Sequence, residues 1–329
     1  MDLVDSLIYS QPQMVPSTLR QPYDYLVAIP GTNGDIRTQF IRSFNDLYFS
    51  IDNHDTIATI SEVITVFHNS SLLIDDIEDG SEFRRGRPAA HTKYGVALTL
   101  NCGNMMYFVA LQTAQQNLPQ FHPSDNKNEI ALSILNILVE ELLNLHHGQG
   151  LDIHWRDHLK TSTLPLIQEY MEMIMNKTGG LFRLAVKLLG VFSTPPDERT
   201  VLAIANLFGI VFQIRDDVMN LVDDKYSHMK GMKGEDLVEG KLSLPILHCL
   251  HSLTNDSPVT SLLYHMDMKQ RQQNPQLVQQ AVEYMKVETK SLQYAQDLLR
   301  LYGAKIKQLV GPDTNSFLVQ IVDKLLNSI

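Results

Sequence analysis

Cysteine is scarce: the 329-residue chain carries two, Cys102 and Cys249. Each stands in an apolar stretch where a thiol acts as a small hydrophobe, and no spacing suggests a zinc site or a disulfide framework. A reducing, cytoplasmic setting is the resulting expectation. Uninterrupted apolar runs of ~18 residues are missing, so no transmembrane segment is expected. Long Lys/Arg runs are missing too, and the formal net charge is −10. Binding a phosphate backbone needs a basic surface, so no nucleic-acid partner is expected. Residues 1–21 show neither a charged-then-apolar signal pattern nor an Arg-rich amphipathic stretch, contain Pro12 and Pro16, and read as a flexible N-terminal arm. No Pro/Gly/Ser-rich linker divides the remainder, so residues 22–329 are expected to form one domain.

Apolar residues make up 44% of the chain and charged ones 19%, enough to bury a sizeable core. Apolar residues recur at helical spacing over 36–51, 56–80, 94–117, 127–148, 164–191, 197–224, 241–253 and 276–302, with a short last stretch near 315–327, and no convincing strand stands out. Gly31, Gly34, Pro119, Pro123, Pro165, Pro195, Pro196, Pro258, Pro275, Gly311 and Pro312 punctuate the pattern. Ser124, Asp125, Asp197 and Thr314 are candidate caps. The spacing predicts an all-α fold, a single large helical bundle whose ligand sites would lie in the core between facing helices.

Two acidic clusters interrupt these apolar runs, Asp75-Asp76-Ile77-Glu78-Asp79 and Asp216-Asp217-Val218-Met219-Asn220. On a helix, positions i, i+1 and i+4 project from nearly the same side, so Asp75, Asp76 and Asp79 are expected to form one carboxylate face and Asp216, Asp217 and Asn220 another. Ionised carboxylates within one turn repel each other unless a cation sits between them, and hard oxygen ligands suit Mg²⁺. A solvated helix surface is the plain alternative for one such motif. Two copies, preceded by Ser70-Ser71-Leu72-Leu73-Ile74 and by Phe208-Gly209-Ile210-Val211-Phe212-Gln213-Ile214, do not look like wet faces. A calcium loop fails because Ile77 occupies its third position. Two faces directed at one cavity could hold magnesium and, through it, a diphosphate.

Basic residues accompany the acidic ones. Arg84-Arg85-Gly86-Arg87-Pro88 and His91 follow the first cluster; Lys177-Thr178-Gly179-Gly180 interrupts an apolar helix; Lys230, Lys233 and Lys241 follow the second cluster. Adjacent guanidiniums followed by glycine can approach phosphate oxygens bidentately. Taken singly, each of these cations reads as a surface charge. Their alternation with acidic faces is what points to a site.

With these motifs in view, the chain resembles the trans-isoprenyl diphosphate synthases, most closely the fungal geranylgeranyl diphosphate synthases. The resemblance runs from Tyr23 to about Pro245. It is carried by His68 through Asp79, Arg84-Arg85-Gly86, Gly148-Gln149-Gly150-Leu151-Asp152-Ile153-His154-Trp155-Arg156-Asp157, Lys177-Thr178-Gly179, Phe212-Gln213-Ile214-Arg215-Asp216-Asp217 and Glu239-Gly240-Lys241-Leu242-Ser243-Leu244-Pro245. It implies an isoprenoid synthase type of fold, magnesium as cofactor, dimers or higher homo-oligomers, and head-to-tail condensation of isopentenyl diphosphate with an allylic diphosphate (dimethylallyl, geranyl or farnesyl). Asp75, Asp79 and Asp216 would bind magnesium, supported by Asp76 and Asp217. Arg84, Lys177, Gln213, Lys230 or Lys233, and Lys241 would hold the allylic diphosphate. Arg37, His68 and Arg85 would hold the isopentenyl one, and Thr178 and Gln149 would help stabilise a carbocation.

The same resemblance sets product length and exposes one departure. The position five before the first Asp, an aromatic where growth stops at farnesyl, is Ser70 here, beside Ser71. Tyr107, Phe108 and His146 match residues that close the tunnel at twenty carbons. Family members carry Gly-Lys-x-x-Arg before the first core helix, whereas this chain reads Gly31-Thr32-Asn33-Gly34-Asp35-Ile36-Arg37. Losing that charge-assisted contact would cost ~1.5–3 kcal/mol, weakening isopentenyl diphosphate by one or two orders of magnitude. Gly34 therefore keeps a terpene cyclase on the same fold as an alternative; a non-catalytic partner subunit is disfavoured by the intact acidic motifs.

Overall fold

The computed structural model describes residues 16–30, 36–223, 234–253, 256–311 and 316–327. Among them sixteen α-helices follow one another, with a single two-stranded ribbon. The first are α1 (Ser17–Ala28), α2 (Ile36–Phe44, continued by a π-helical turn Asn45–Phe49) and α3 (His54–Glu78). The ribbon, β1 (Phe83–Arg84) and β2 (Arg87–Pro88), precedes α4 (Ala90–Tyr94), α5 (Val96–Phe121), α6 (Lys127–Asp157), α7 (Ile167–Lys177), α8 (Gly179–Phe192) and α9 (Glu198–Val222). Then come α10 (Glu235–Glu239), α11 (Leu244–Ser252), α12 (Pro258–His265), α13 (Met268–Gln272), α14 (Pro275–Val287), α15 (Ser291–Val310) and α16 (Phe317–Leu326). The all-α bundle expected from apolar spacing is the observed architecture.

Helix ends follow local chemistry where side chains can reach the backbone. Asn53 accepts hydrogen bonds from the amides of Asp55 and Thr56 at the start of α3, and Asp197 accepts from Thr200 at the start of α9, satisfying donors that the helix itself leaves open. Asn126, not Ser124 or Asp125, caps α6. Thr314 lies outside the described residues, and Ser316 caps α16. The stretch 164–191 is not one helix but two, parted at Thr178, and 276–302 parts near Lys290, which has a φ of +52°. Ser17–Gln21, read from sequence as the end of the arm, are the opening turn of α1, whose Tyr23 and Leu26 are buried against α3, α4 and α5.

One large apolar cluster fills the space among α2, α3, α5 to α9, α15 and α16, and a second lies among α10 to α14 and the end of α9. Trp155, Leu164 and Val222 border both clusters, so the two cores are continuous across the end of α9. α3 is long and apolar enough by composition to cross a membrane, yet 56% of its most apolar window is buried inside the protein and it carries the first acidic motif. It is a core helix. The ribbon escaped the sequence reading because two residues per strand cannot show alternation. It is closed by Arg85 and Gly86, both at positive φ (53° and 74°), the conformation a two-residue hairpin turn requires.

Candidate active site

The two acidic motifs end up facing one cavity. Asp75, Glu78 and Asp79 at the end of α3 line it, as does Asp216 from α9, together with Arg37, His68, Arg84, Arg85, Gln149, Lys177, Thr178, Gln213 and Lys241. Its deeper wall is apolar, built from Phe40, Ile64, Leu145, Leu181, Phe182 and Phe212. A charged mouth above an apolar tunnel suits a molecule with a polyanionic head and a hydrocarbon tail.

Each aspartate doublet is divided rather than facing one way. Asp76 is buried beneath the cavity wall and gripped by Arg84, whose Nε donates to its Oδ1 at 2.7 Å and whose Nη2 makes a shorter contact. Asp217 is buried too: the Tyr170 hydroxyl donates to Oδ2, the Leu244 amide donates to the same oxygen at 2.8 Å, and Gln213 Nε2 donates to Oδ1 at 2.9 Å. Asn220 accepts from the Asp236 amide at 3.1 Å, holding the start of α10. The expectation of three acidic side chains on one face is corrected. Consecutive helical residues stand about 100° apart, so the second member of each doublet meets a neighbouring element instead of the cavity.

The cavity-facing carboxylates are already engaged. Asp75 meets Arg84 Nη2 at 3.3 Å, Gln149 Nε2 at 3.2 Å and Lys177 Nζ at 3.8 Å. Arg156 Nη1 donates to Asp79 Oδ1 at 2.7 Å and its Nη2 to the Glu78 carbonyl at 3.0 Å, which also caps the end of α3. Burial, with Asp75 beside it, pushes the Asp79 carboxyl up to about 7. Two carboxylates pressed together in a dry wall are what a hard divalent cation relieves, so the donor set fits magnesium. Among the described residues no three acidic or His groups converge in advance as a metal cluster. A divalent ion held here would take the place of the basic side chains that Asp75 and Asp79 now meet.

Lys177 at the end of α7 and Lys241 after α10 both bring positive charge to the cavity. Lys177 Nζ lies 2.6 Å from Asp152 Oδ2. Burial opposes the charge of Lys241, but Asp236, Asp152, Asp217 and Asp79 outweigh it and raise its pKa well above the usual ammonium range. Both lysines stay cationic. Burial, aided by Arg37, Arg85 and Arg84, holds His68 well below the usual imidazole range, so it is neutral and contributes hydrogen bonding, not charge. Arg85 Nη1 donates to the Ile29 carbonyl at 3.0 Å, tying the arginine hairpin to the end of α1.

Thr178 owes its position to close backbone contact. A Cβ on Gly148 of α6 would stand 2.3 Å from the Lys177 nitrogen, and one on Gly209 of α9 would stand 2.4 Å from the Gly179 Cα. The two glycines form a slot for the junction of α7 and α8. Within it Thr178 Oγ1 donates to Gln213 Oε1 at 2.6 Å, extending a chain that runs through Asp217 to Tyr170.

The tunnel floor departs from expectation in two places. Tyr107 lines the cavity with its ring 5.6 Å from those of Phe67 and His146, and Ser71 lines it beside them. Phe108, one position on, is 70% exposed on the outer face of α5 and cannot close the tunnel. Ser70 is buried between α3 and α5, its Oγ donating to the Val66 carbonyl at 2.6 Å, and stands outside the lining. Lys230, Lys233 and Gly34 lie outside the described residues. Asp152, Arg156 and Tyr170 escaped sequence reasoning. Asp152 and Arg156 sit three and seven residues after Gln149, on one face of α6, a spacing that could have exposed them.

Comparison with known proteins identifies the family and the fold. Residues 16–285 match the Polyprenyl synthetase family. A geranylgeranyl pyrophosphate synthase of Fusarium fujikuroi is 38% identical, covering 94% of this chain and 69% of its own length. One of Eremothecium gossypii is 38% identical, covering 93% and 92%. The crystal structure of a geranylgeranyl pyrophosphate synthetase from Pyrococcus horikoshii superposes with a TM-score of 0.76 at 23% identity, over 96% of this chain and 91% of that one, and shares the fold. The chain belongs to the polyprenyl synthetase family.

Proposed function

We propose that this enzyme is a trans-prenyltransferase that condenses isopentenyl diphosphate with an allylic diphosphate to give geranylgeranyl diphosphate. The observation that carries the reading is the cavity itself, with acidic ends of α3 and α9 and paired lysines at its mouth and a Tyr107 floor below. Magnesium held by Asp75, Asp79 and Asp216 would neutralise charge developing on the departing diphosphate. Arg84, Lys177 and Lys241 add fixed positive charge at the same mouth, so the allylic carbon–oxygen bond breaks where its leaving group is best held. Thr178 Oγ1 and Gln213, with the Phe212 ring, present dipoles and π density to the carbon left behind. Arg37, Arg85 and neutral His68 would receive the isopentenyl diphosphate, whose alkene attacks that carbon. Proton loss to the released diphosphate completes the balance.

Residues 22–329 act as one catalytic domain in this reading, following an N-terminal arm that enters α1. Exposed apolar side chains form a stripe on α5 (Val96, Leu100, Phe108) and α6 (Leu132, Val139, Leu143, Leu151), and the enzyme would pair with a second copy through it. With Cys102 and Cys249 as free buried thiols, a cytoplasmic location suits it. Gly34 favours a cyclase as the second reading. Purified protein, magnesium and radiolabelled isopentenyl diphosphate with each allylic diphosphate in turn separate the two. Label in a twenty-carbon chain supports the synthase; an unlabelled hydrocarbon in place of labelled product overturns it.

A further inference from the structure

Behind the cavity wall lies a buried charge that the reaction does not touch. Arg183, one turn into α8 and 9% exposed, spends its guanidinium on three other helices. Its Nη1 donates to the Met175 carbonyl in the last turn of α7 at 2.6 Å and to Asn206 Oδ1 on α9 at 3.0 Å. Its Nε donates to Glu141 Oε2 on α6 at 3.0 Å, and Nη2 stands 2.8 Å from the same oxygen. Glu141 is 1% exposed and is held from its other side by Lys187 Nζ at 2.6 Å; Lys187 also reaches Glu140 at 3.0 Å. Neither Arg183 nor Glu141 lines the cavity.

Stability alone does not account for this pair. Well-packed apolar residues of similar volume commonly replace a buried ion pair without loss. What they cannot replace is the set of directions in which one planar guanidinium points. The four helices that Arg183 joins are the four that meet at the junction of α7 and α8. Thr178 has near-helical dihedrals there (φ −93°, ψ −38°), so the junction is a shallow kink whose angle decides which way Lys177 Nζ and Thr178 Oγ1 face. Last-turn carbonyls of a helix depend on donors from outside, and at Met175 that donor is Arg183.

We propose that Arg183 is a positioning residue for the reaction, setting through Met175, Glu141 and Asn206 the kink that aims Lys177 and Thr178 at the allylic diphosphate. The inference rests on the synthase reading above. Arg183→Lys keeps a positive charge for Glu141 but cannot span Met175 and Asn206 as well. Glu141→Met/Arg183→Met removes both charges and leaves Lys187 its second partner, Glu140.

Both variants and Arg183→Met alone are assayed beside the wild type with magnesium, farnesyl diphosphate and labelled isopentenyl diphosphate, and their melting temperatures are measured. Arg183→Lys is expected to lose kcat by ~10- to 100-fold, the scale of a displacement of about 1 Å at a reacting group. The KM for isopentenyl diphosphate should hold, since Arg37, His68 and Arg85 stand on other elements. The double variant should melt closer to the wild type than Arg183→Met alone yet keep the kcat defect. A kcat within twofold of wild type in Arg183→Lys overturns the proposal, as does a double variant that regains kcat. If the wild type itself forms no labelled product, the synthase reading fails, and that outcome is separate from any difference between variants.

Discussion

Replacing Gly209 by alanine adds one methyl group where α9 presses on the junction of α7 and α8. The new Cβ would stand 2.4 Å from the Gly179 Cα and 2.8 Å from its nitrogen. Both obstructing atoms are backbone, so no rotamer change clears them. Ordinary carbon contact is ~3.5–4.0 Å, so the helices must part by about 1 Å. Overpacking of this kind costs ~1–3 kcal/mol, and rigid obstruction places Gly209→Ala near the top of that range. For a chain of this length each kcal/mol lowers the melting temperature by about 1.5 °C, giving a fall of about 4 °C. The functional effect should be larger. Thr178 Oγ1 is 2.6 Å from Gln213, one turn after Gly209, and a shift of about 1 Å there can remove two orders of magnitude from kcat. Gly190→Ala on α8 is the control, because its Cβ would meet only Phe49 at 3.9 Å; gaining alanine's helix propensity, it should be stabilised by up to ~1 kcal/mol at unchanged kcat. Steady-state condensation kinetics and differential scanning calorimetry on the three proteins decide the matter. A Gly209→Ala enzyme with wild-type kcat and melting temperature would show that the slot does not set the junction.

Three other outcomes follow from the same geometry. Tyr107→Ala should lengthen the product beyond twenty carbons, whereas Phe108→Ala should leave chain length alone and weaken self-association, read by reversed-phase chromatography of products and by sedimentation. Gly34→Lys should lower the KM for isopentenyl diphosphate by one to two orders of magnitude, equivalent to ~1.5–3 kcal/mol; an unchanged KM would show that another group already supplies that charge. Burial works against ionised Glu141, but hydrogen bonds from Arg183 and Lys187 outweigh it and hold its pKa below the usual carboxylate range. Its contribution is thus complete above about pH 4.5 and is lost as pH falls through the lowered folded value. Glu141→Gln should be less stable than wild type at pH 7, and the gap should narrow on acidification in a melting-temperature series from pH 7 to 3.

What the sequence makes legible is periodic. The long helices α3, α5 and α9 emerge within a few residues of the apolar windows because one face of each is packed almost end to end. α6 runs nine residues past its window because Gly148 does not stop the helix; it is glycine so that Lys177 can pass close by. At Thr178 the sequence marks an interruption, Lys177-Thr178-Gly179-Gly180, yet apolar spacing continues through 164–191; contact with Gly148 and Gly209, distant in sequence, shows why one stretch becomes two helices there. In the site, residue types and order were legible while direction was not. Tyr107 faces the tunnel and Phe108 faces outward, and nothing local distinguishes two neighbouring aromatics on a helix.

The doublets make the same point about chemistry. Asp75 and Asp216 reach the cavity, while Asp76 and Asp217 bind Arg84 on the hairpin and Tyr170 on α7. The second aspartate therefore fixes the rotation of its helix, and that rotation presents the first. Burial, partly offset by Lys241, pushes Asp217 up to about 7, and it retains three hydrogen-bonding partners from three separate segments. A carboxylate so placed could not also ligate a metal without leaving Tyr170 and the Leu244 amide unsatisfied in the core, at ~1–3 kcal/mol each. Two adjacent acids that look interchangeable in the sequence thus stand differently, one open to the cavity, where the proposed magnesium would bind, and one anchored in the core. The division holds for both motifs because a step of about 100° carries the residue after Asp75, and the residue after Asp216, from the cavity into the packed interior.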